Sequence, residues 1–175
     1  MDPIDGTRSF VRGIPLWTTL VGLEYRNEMI AGVVVEPVFG NTYRAIRGDG
    51  AFKNNKRIQV SQVDKLADAI LCTCDLNFFA THGKMDQFLN LALTVHRQRG
   101  YGDYFGFTLV AQGSAELMLD FGVHSWDIAA LIPLIEEAGG TFTDWSGQQN
   151  LEQPDALASN GRLHDAAIAV VGGRR

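Results

Sequence analysis

Two cysteines and four histidines are all that this 175-residue chain offers to soft-metal or redox chemistry, and neither set is arranged for it. Cys72 and Cys74 alternate along the apolar run Ala69-Ile70-Leu71-Cys72-Thr73-Cys74, a spacing that fits neither a zinc pair nor a redox motif. The run reads as a strand with both thiols on one face, buried and structural. His82, His96, His124 and His164 are scattered, and none is assigned a catalytic role. No apolar run approaches the roughly 20 residues that span a bilayer, and no charged-then-apolar leader is visible, so a cytoplasmic location is expected. Positive charge is also scarce: 15 Lys and Arg stand against 20 Asp and Glu. The net charge of −5 argues against a nucleic-acid partner. No repeat, low-complexity tract or long linker divides the chain.

What remains is ordinary globular composition, long enough to bury a sizeable core, and two acidic motifs. The first is Asp2-Pro3-Ile4-Asp5-Gly6-Thr7. Its two carboxylates, stiffened by Pro3, could converge hard oxygen ligands on a divalent cation while the Gly6-Thr7 step offers backbone N–H groups to an anion. The same residue types also make an ordinary turn, because Pro pre-sets φ, Gly tolerates positive φ and Asp bonds its own backbone. The second motif runs from Trp126-Asp127-Ile128-Ala129-Ala130 through Pro133, Glu136 and Glu137 to Gly139-Gly140. It reads as an apolar-periodic helix whose first acid, Asp127, would by itself serve as a cap.

Taken together and in this order, the two motifs resemble the inositol monophosphatase family of magnesium-dependent phosphatases. The resemblance extends to Gly48-Asp49-Gly50-Ala51-Phe52 and to Ala158-Ser159-Asn160-Gly161, and so covers nearly the whole chain. It implies that Asp2, Asp5 and Asp127 bind Mg²⁺ through carboxylates and Ile4 through its carbonyl, with the Ile4 side chain turned inward. Gly6 and Thr7 would open a helix toward the substrate phosphate, with Asp5 and Thr7 in the catalytic roles and Thr7 helping to hold the attacking water. The implied reaction is hydrolysis of a phosphomonoester by in-line attack of cation-activated water, without a covalent phosphoenzyme. A small-molecule ester as partner and a homodimer as assembly also follow from the resemblance. Family members carry a Glu-Glu pair upstream that completes the metal site, whereas only Met1 precedes Asp2 here. The chain is therefore expected to be an amino-terminally truncated member, binding its cations weakly and leaving apolar surface uncovered.

Substrate choice turns on Arg99-Gly100-Tyr101-Gly102-Asp103-Tyr104-Phe105-Gly106, where inositol-phosphate enzymes usually carry a Gly-Thr/Ser-Ala-Ala run. An acid amid aromatics is similar to the histidinol-phosphatase branch. Histidinol phosphate carries an ammonium and an imidazole, for which carboxylates are natural partners. Asp103 and Asp120 are the expected contacts, with Arg99, Gly102 and Asp127 completing the substrate set. Asp103 could equally cap the helix that follows it, and Arg99 could simply be an exposed arginine. A broad inositol or sugar phosphatase, and a catalytically silent fragment or binding module, stand as alternatives.

The expected fold is α+β followed by α/β: an inositol-monophosphatase-like layered sandwich, with residues 1–63 the remainder of an antiparallel-sheet domain and 64–175 a sheet flanked by helices. Strands are expected at 16–25 and 29–38, joined by an Arg26-Asn27 hairpin, then at 42–46 and 57–61. Helices are expected at 85–95 and 103–112, with a strand at 117–120. Glu136 and Glu137, near a helix end, read as solvated or structural.

Overall fold

The computed structural model describes residues 1–149 and 151–172. The first six strands form one antiparallel sheet in sequence order: β1 (Asp2–Asp5), β2 (Thr18–Tyr25), β3 (Glu28–Glu36), β4 (Asn41–Ile46), β5 (Gly50–Lys53) and β6 (Lys56–Arg57). Arg26 and Asn27 join β2 to β3 with φ of 52° and 62°, as a two-residue hairpin demands of both central residues. The expected strand at 57–61 ends at Arg57. Beyond it Val60 donates its N–H to the Ala138 carbonyl at 3.0 Å, so the chain leaves the sheet to anchor a helix end.

The second sheet is mixed, in the order β10 (Thr141–Thr143), β11 (Asp155–Ser159), β9 (Leu117–Phe121), β7 (Ile70–Thr73), β8 (Arg97–Arg99). Its centre, β9, is buried on both faces, so its alternation sorts residues between two cores. Met118 packs with α4 (Asp103–Ala111) and α6 (Leu131–Glu137) between the sheets, while Leu117, Leu119 and Phe121 pack with α2 (Leu76–Thr81), α3 (Met85–Ala92) and α7 (His164–Val171). The layers therefore run sheet, helices, sheet, helices. Helix α3 stops at Ala92, short of 95, where Thr94 turns its hydroxyl and its N–H onto the Leu91 carbonyl.

The helix expected after Trp126 is two pieces, α5 (Ser125–Ile128) and α6. The junction at Ala129-Ala130 lies directly on Gly22 of β2 and Gly32 of β3. A Cβ on Gly22 would stand 2.8 Å from the Ala129 carbonyl carbon, and one on Gly32 would collide with the Ala130 carbonyl. Those two glycines let the helix pair sit on the sheet, and they set the depth at which Asp127 is presented. On the opposite face Val21, Leu23, Tyr25 and Ile46 are 43–57% exposed. Among the described residues no helix is long and apolar enough to cross a membrane.

Candidate functional site

The site is built where β1 turns into α1 (Thr7–Val11), at the open end of the interlayer space. Residues three apart on a regular strand point to opposite faces, which would separate Asp2 from Asp5. Here Asp2 pairs with Leu20 and Asp5 with Thr18, three steps against two, so β1 carries an extra residue. That irregularity re-aims the side chains, as bulges do beside active sites. Asp2 then accepts the Ile4 N–H at 2.9 Å, and the Thr7 hydroxyl donates to the Ile4 carbonyl at 2.7 Å. The Ile4 side chain is half-buried. Gly6, at φ 76°, makes the turn into α1, with the Leu16 carbonyl so close that any side chain would clash.

Asp127 arrives from the other half of the chain as the third residue of α5, its Oδ2 accepting the His124 N–H at 2.8 Å. It is therefore a first-turn acid, with the cap position held by His124, whose ring stacks on Trp126 at 4.6 Å. The carboxylate oxygens of Asp2, Asp5 and Asp127 come within 4.8 Å of one another. Asp5 is buried, and one of its oxygens accepts the Tyr104 N–H at the start of α4 at 3.0 Å. Burial pushes the Asp5 carboxyl up to about 8, with the Tyr104 N–H opposing and the charges of Asp103, Asp127 and Asp2 adding to the rise. Asp127 is raised for the same reasons, burial first.

Asp5 and Asp127 line a cleft of about 640 Å³ together with Thr7, Arg8, Asp75, Phe78, Asp103 and Asp120. Asp120 is buried, accepts its neighbour Phe121's N–H at 2.8 Å, and is pushed up to about 7 chiefly by that burial. Asp103 does not cap α4: Gly102 takes the cap position and Asp103 follows at φ 51°, a conformation costly for a residue with a Cβ. The cleft walls and the charge of Asp127 raise its carboxyl, and Arg8 pulls it back. Three expected site residues do not line the cleft: Asp2 and Ile4, which stay in the β1 motif with Asp2 in the carboxylate cluster, and Arg99, exposed on β8 and donating to the Gln98 carbonyl at 2.9 Å.

Sequence reasoning missed Arg8, Asp75 and Phe78. Arg8 directly follows the first motif, and a lone cation beside an acidic motif was a usable signal; Asp75 and Phe78 had none. Cys74 lies one residue past the end of β7, half-buried and facing the cleft, whereas Cys72 is fully buried as expected.

Three mutually repelling carboxylates, a free carbonyl edge and a hydroxyl form an all-oxygen donor set, which fits a hard divalent cation and disfavours soft metals. A cation placed there would offset the burial and the acidic neighbours that together raise Asp5. The model of the inositol monophosphatase family matches residues 1–173. The chain belongs to the inositol monophosphatase family. With that membership come a phosphoric monoester hydrolase class and metal dependence. The chain is 38% identical to a histidinol-phosphatase of Streptomyces coelicolor, over 99% of its own length and 69% of the relative's. It is 33% identical to an inositol-1-monophosphatase of Mesorhizobium japonicum, over 98% and 66% respectively. An inositol monophosphatase structure from Anabaena superposes with a TM-score of 0.91 at 26% identity, covering 98% of this chain and 69% of that one. The chain thus spans about two thirds of the length of the proteins it matches.

Proposed function

We propose that this chain carries the catalytic apparatus of a Mg²⁺-dependent histidinol-phosphatase, cleaving histidinol phosphate to histidinol and phosphate. The observation that carries the reading is the pair Asp103 and Asp120, two carboxylates that line the same cleft as Asp5 and Asp127 of the acidic cluster. A phosphomonoester with a cationic alcohol needs both sets: one to neutralise phosphate through metal, one to meet the ammonium and imidazole.

In this reading Asp2, Asp5, Asp127 and the Ile4 carbonyl hold Mg²⁺, which when bound supplies Lewis acidity and lowers the pKa of water. The N–H groups of Gly6 and Thr7 face the phosphate. Thr7 commits its own proton to the Ile4 carbonyl. Its hydroxyl lone pairs are then free to accept a hydrogen bond from the attacking water and turn that water toward phosphorus. Asp5, shared between cation and the Tyr104 N–H, is locked in direction by α4. Asp103, Asp120 and the Gly102 turn would orient the alcohol, and Asp127 would touch both metal and substrate. The substrate would lie between the 1–63 and 64–175 portions of a cytoplasmic homodimer.

The test is phosphate release from histidinol phosphate and from inositol 1-phosphate in parallel with Mg²⁺. A preference for histidinol phosphate of tenfold or more supports the reading; a preference for inositol phosphate moves the protein to the other branch and leaves the metal site untouched.

A further inference from the structure

Among the described residues lining the cleft, Arg8 is the one Lys or Arg. It projects from α1 on the first sheet's side and crosses to the second, where its guanidinium meets the Asp75 carboxylate at 3.5 Å. It also lies 5.5 Å from the centre of the Phe78 ring. Phe78 packs directly over Gly122, where a Cβ would stand 2.7 Å from the ring. Arg8 further acts on Asp103, whose carboxyl it draws down against the effects of burial and Asp127. Arg8 thus pairs directly with Asp75, while the Asp103 carboxylate lies nearby against the same turn, 3.5 Å from where a Gly6 Cβ would stand.

We propose that Arg8 tunes specificity as a competing counter-ion: it occupies Asp75 until the cationic end of a substrate displaces it, and so lowers affinity for cationic alcohols while leaving neutral ones alone. The inference rests on the proposed cationic alcohol phosphate. Arg8 is 80% and Asp75 46% exposed at the side chain, and exposed pairs are weak, so exchange for an ammonium is cheap. A cation that reaches Asp103 or Asp120 in the same cleft favours their charged forms, as any opposite charge close by does. An ammonium exchanges with the guanidinium; a neutral polyol has nothing to exchange and meets the Arg8–Asp75 bridge intact.

The test is calorimetric binding of histidinol and of myo-inositol to the full chain in Mg²⁺ and inorganic phosphate, for wild type, Arg8→Gln, Arg8→Lys and Asp75→Asn. Arg8→Gln should tighten histidinol by about twofold to fivefold, the strength of an exposed ion pair, and leave inositol unchanged. Arg8→Lys should behave as wild type, and Asp75→Asn should weaken histidinol. Equal weakening of phosphate and both alcohols in Arg8→Gln would make Arg8 a phosphate ligand and overturn the proposal, as would no change at all. Wild-type substrate preference is read separately by phosphate release. A wild type that prefers inositol phosphate would remove the substrate reading, while tightening of histidinol in Arg8→Gln would still sustain the exchange.

Discussion

Glu137 and Asp5 both belong to motifs that carry the family resemblance, and the fold treats them in opposite ways. Glu137, near the end of α6, directs both oxygens at backbone donors, Gly48 N–H and Gly50 N–H, each at 2.8 Å. It ties the β4–β5 turn to the helix layer, and its charge is satisfied by what it holds. Asp5 has one backbone donor and three acidic neighbours, and burial raises it to about 8. The difference separates two uses of an acid: a carboxylate with its donors supplied is structural, and carboxylates crowded together and raised by burial mark a candidate functional site.

The sharpest way to test that contrast is Asp127→Asn, which keeps the shape and the His124 hydrogen bond but removes a ligand charge. Phosphatase turnover should fall roughly a thousandfold with the thermal midpoint little changed; near-normal turnover would return Asp127 to the structural class.

Next in size is the pH dependence of the metal-free protein. A carboxyl raised from 3.8 to about 8 stabilises the fold below its unfolded value, and that contribution is lost as pH rises through about 8. Metal-free stability should therefore decline from pH 5 to pH 8, with Mg²⁺ restoring most at the upper end. Asp5→Asn should flatten the decline, adding roughly 2 kcal/mol at pH 8 without metal. Thermal melts in chelator and in Mg²⁺ measure both, and a flat wild-type profile would mean the cluster is not strained.

Glu137→Ala should do the reverse, costing about 2 kcal/mol by chemical denaturation because two N–H groups lose a charged acceptor. Its Mg²⁺ requirement should stay as in wild type; a raised requirement would blur the distinction between the two motifs. The smallest effect belongs to substrate choice. Asp103→Ala should raise KM for histidinol phosphate about tenfold, the worth of one charge-assisted hydrogen bond, while KM for an aryl phosphate moves less than about twofold. Equal changes on both substrates would assign Asp103 to the metal cluster.

Much of this was legible in the sequence because it is local. The Arg26-Asn27 hairpin, the turn at Gly6 and the strand at 117–121 rest on neighbours within a few residues, and backbone sterics enforce them. The misreadings were of another kind. Nothing local shows that Val60 will bond Ala138, or that Gly22 and Gly32 will receive the Ala129-Ala130 step and split a helix in two. The cap offered as the alternative role for Asp103 falls to Gly102, and Asp103 follows it at φ 51°, which no local pattern shows.

By itself, then, the sequence determined the two-sheet order, the acidic motifs and the family, since period, turn chemistry and motif spacing are properties of short segments. Only the tertiary structure decided which acids converge. Bringing Asp127 to within 4.8 Å of Asp2 and Asp5 requires an irregular β1 and two glycines on the neighbouring strands. The same packing excluded Arg99 and brought Arg8 against Asp75, because a side chain's partner is set by which layers meet and not by its place in the chain.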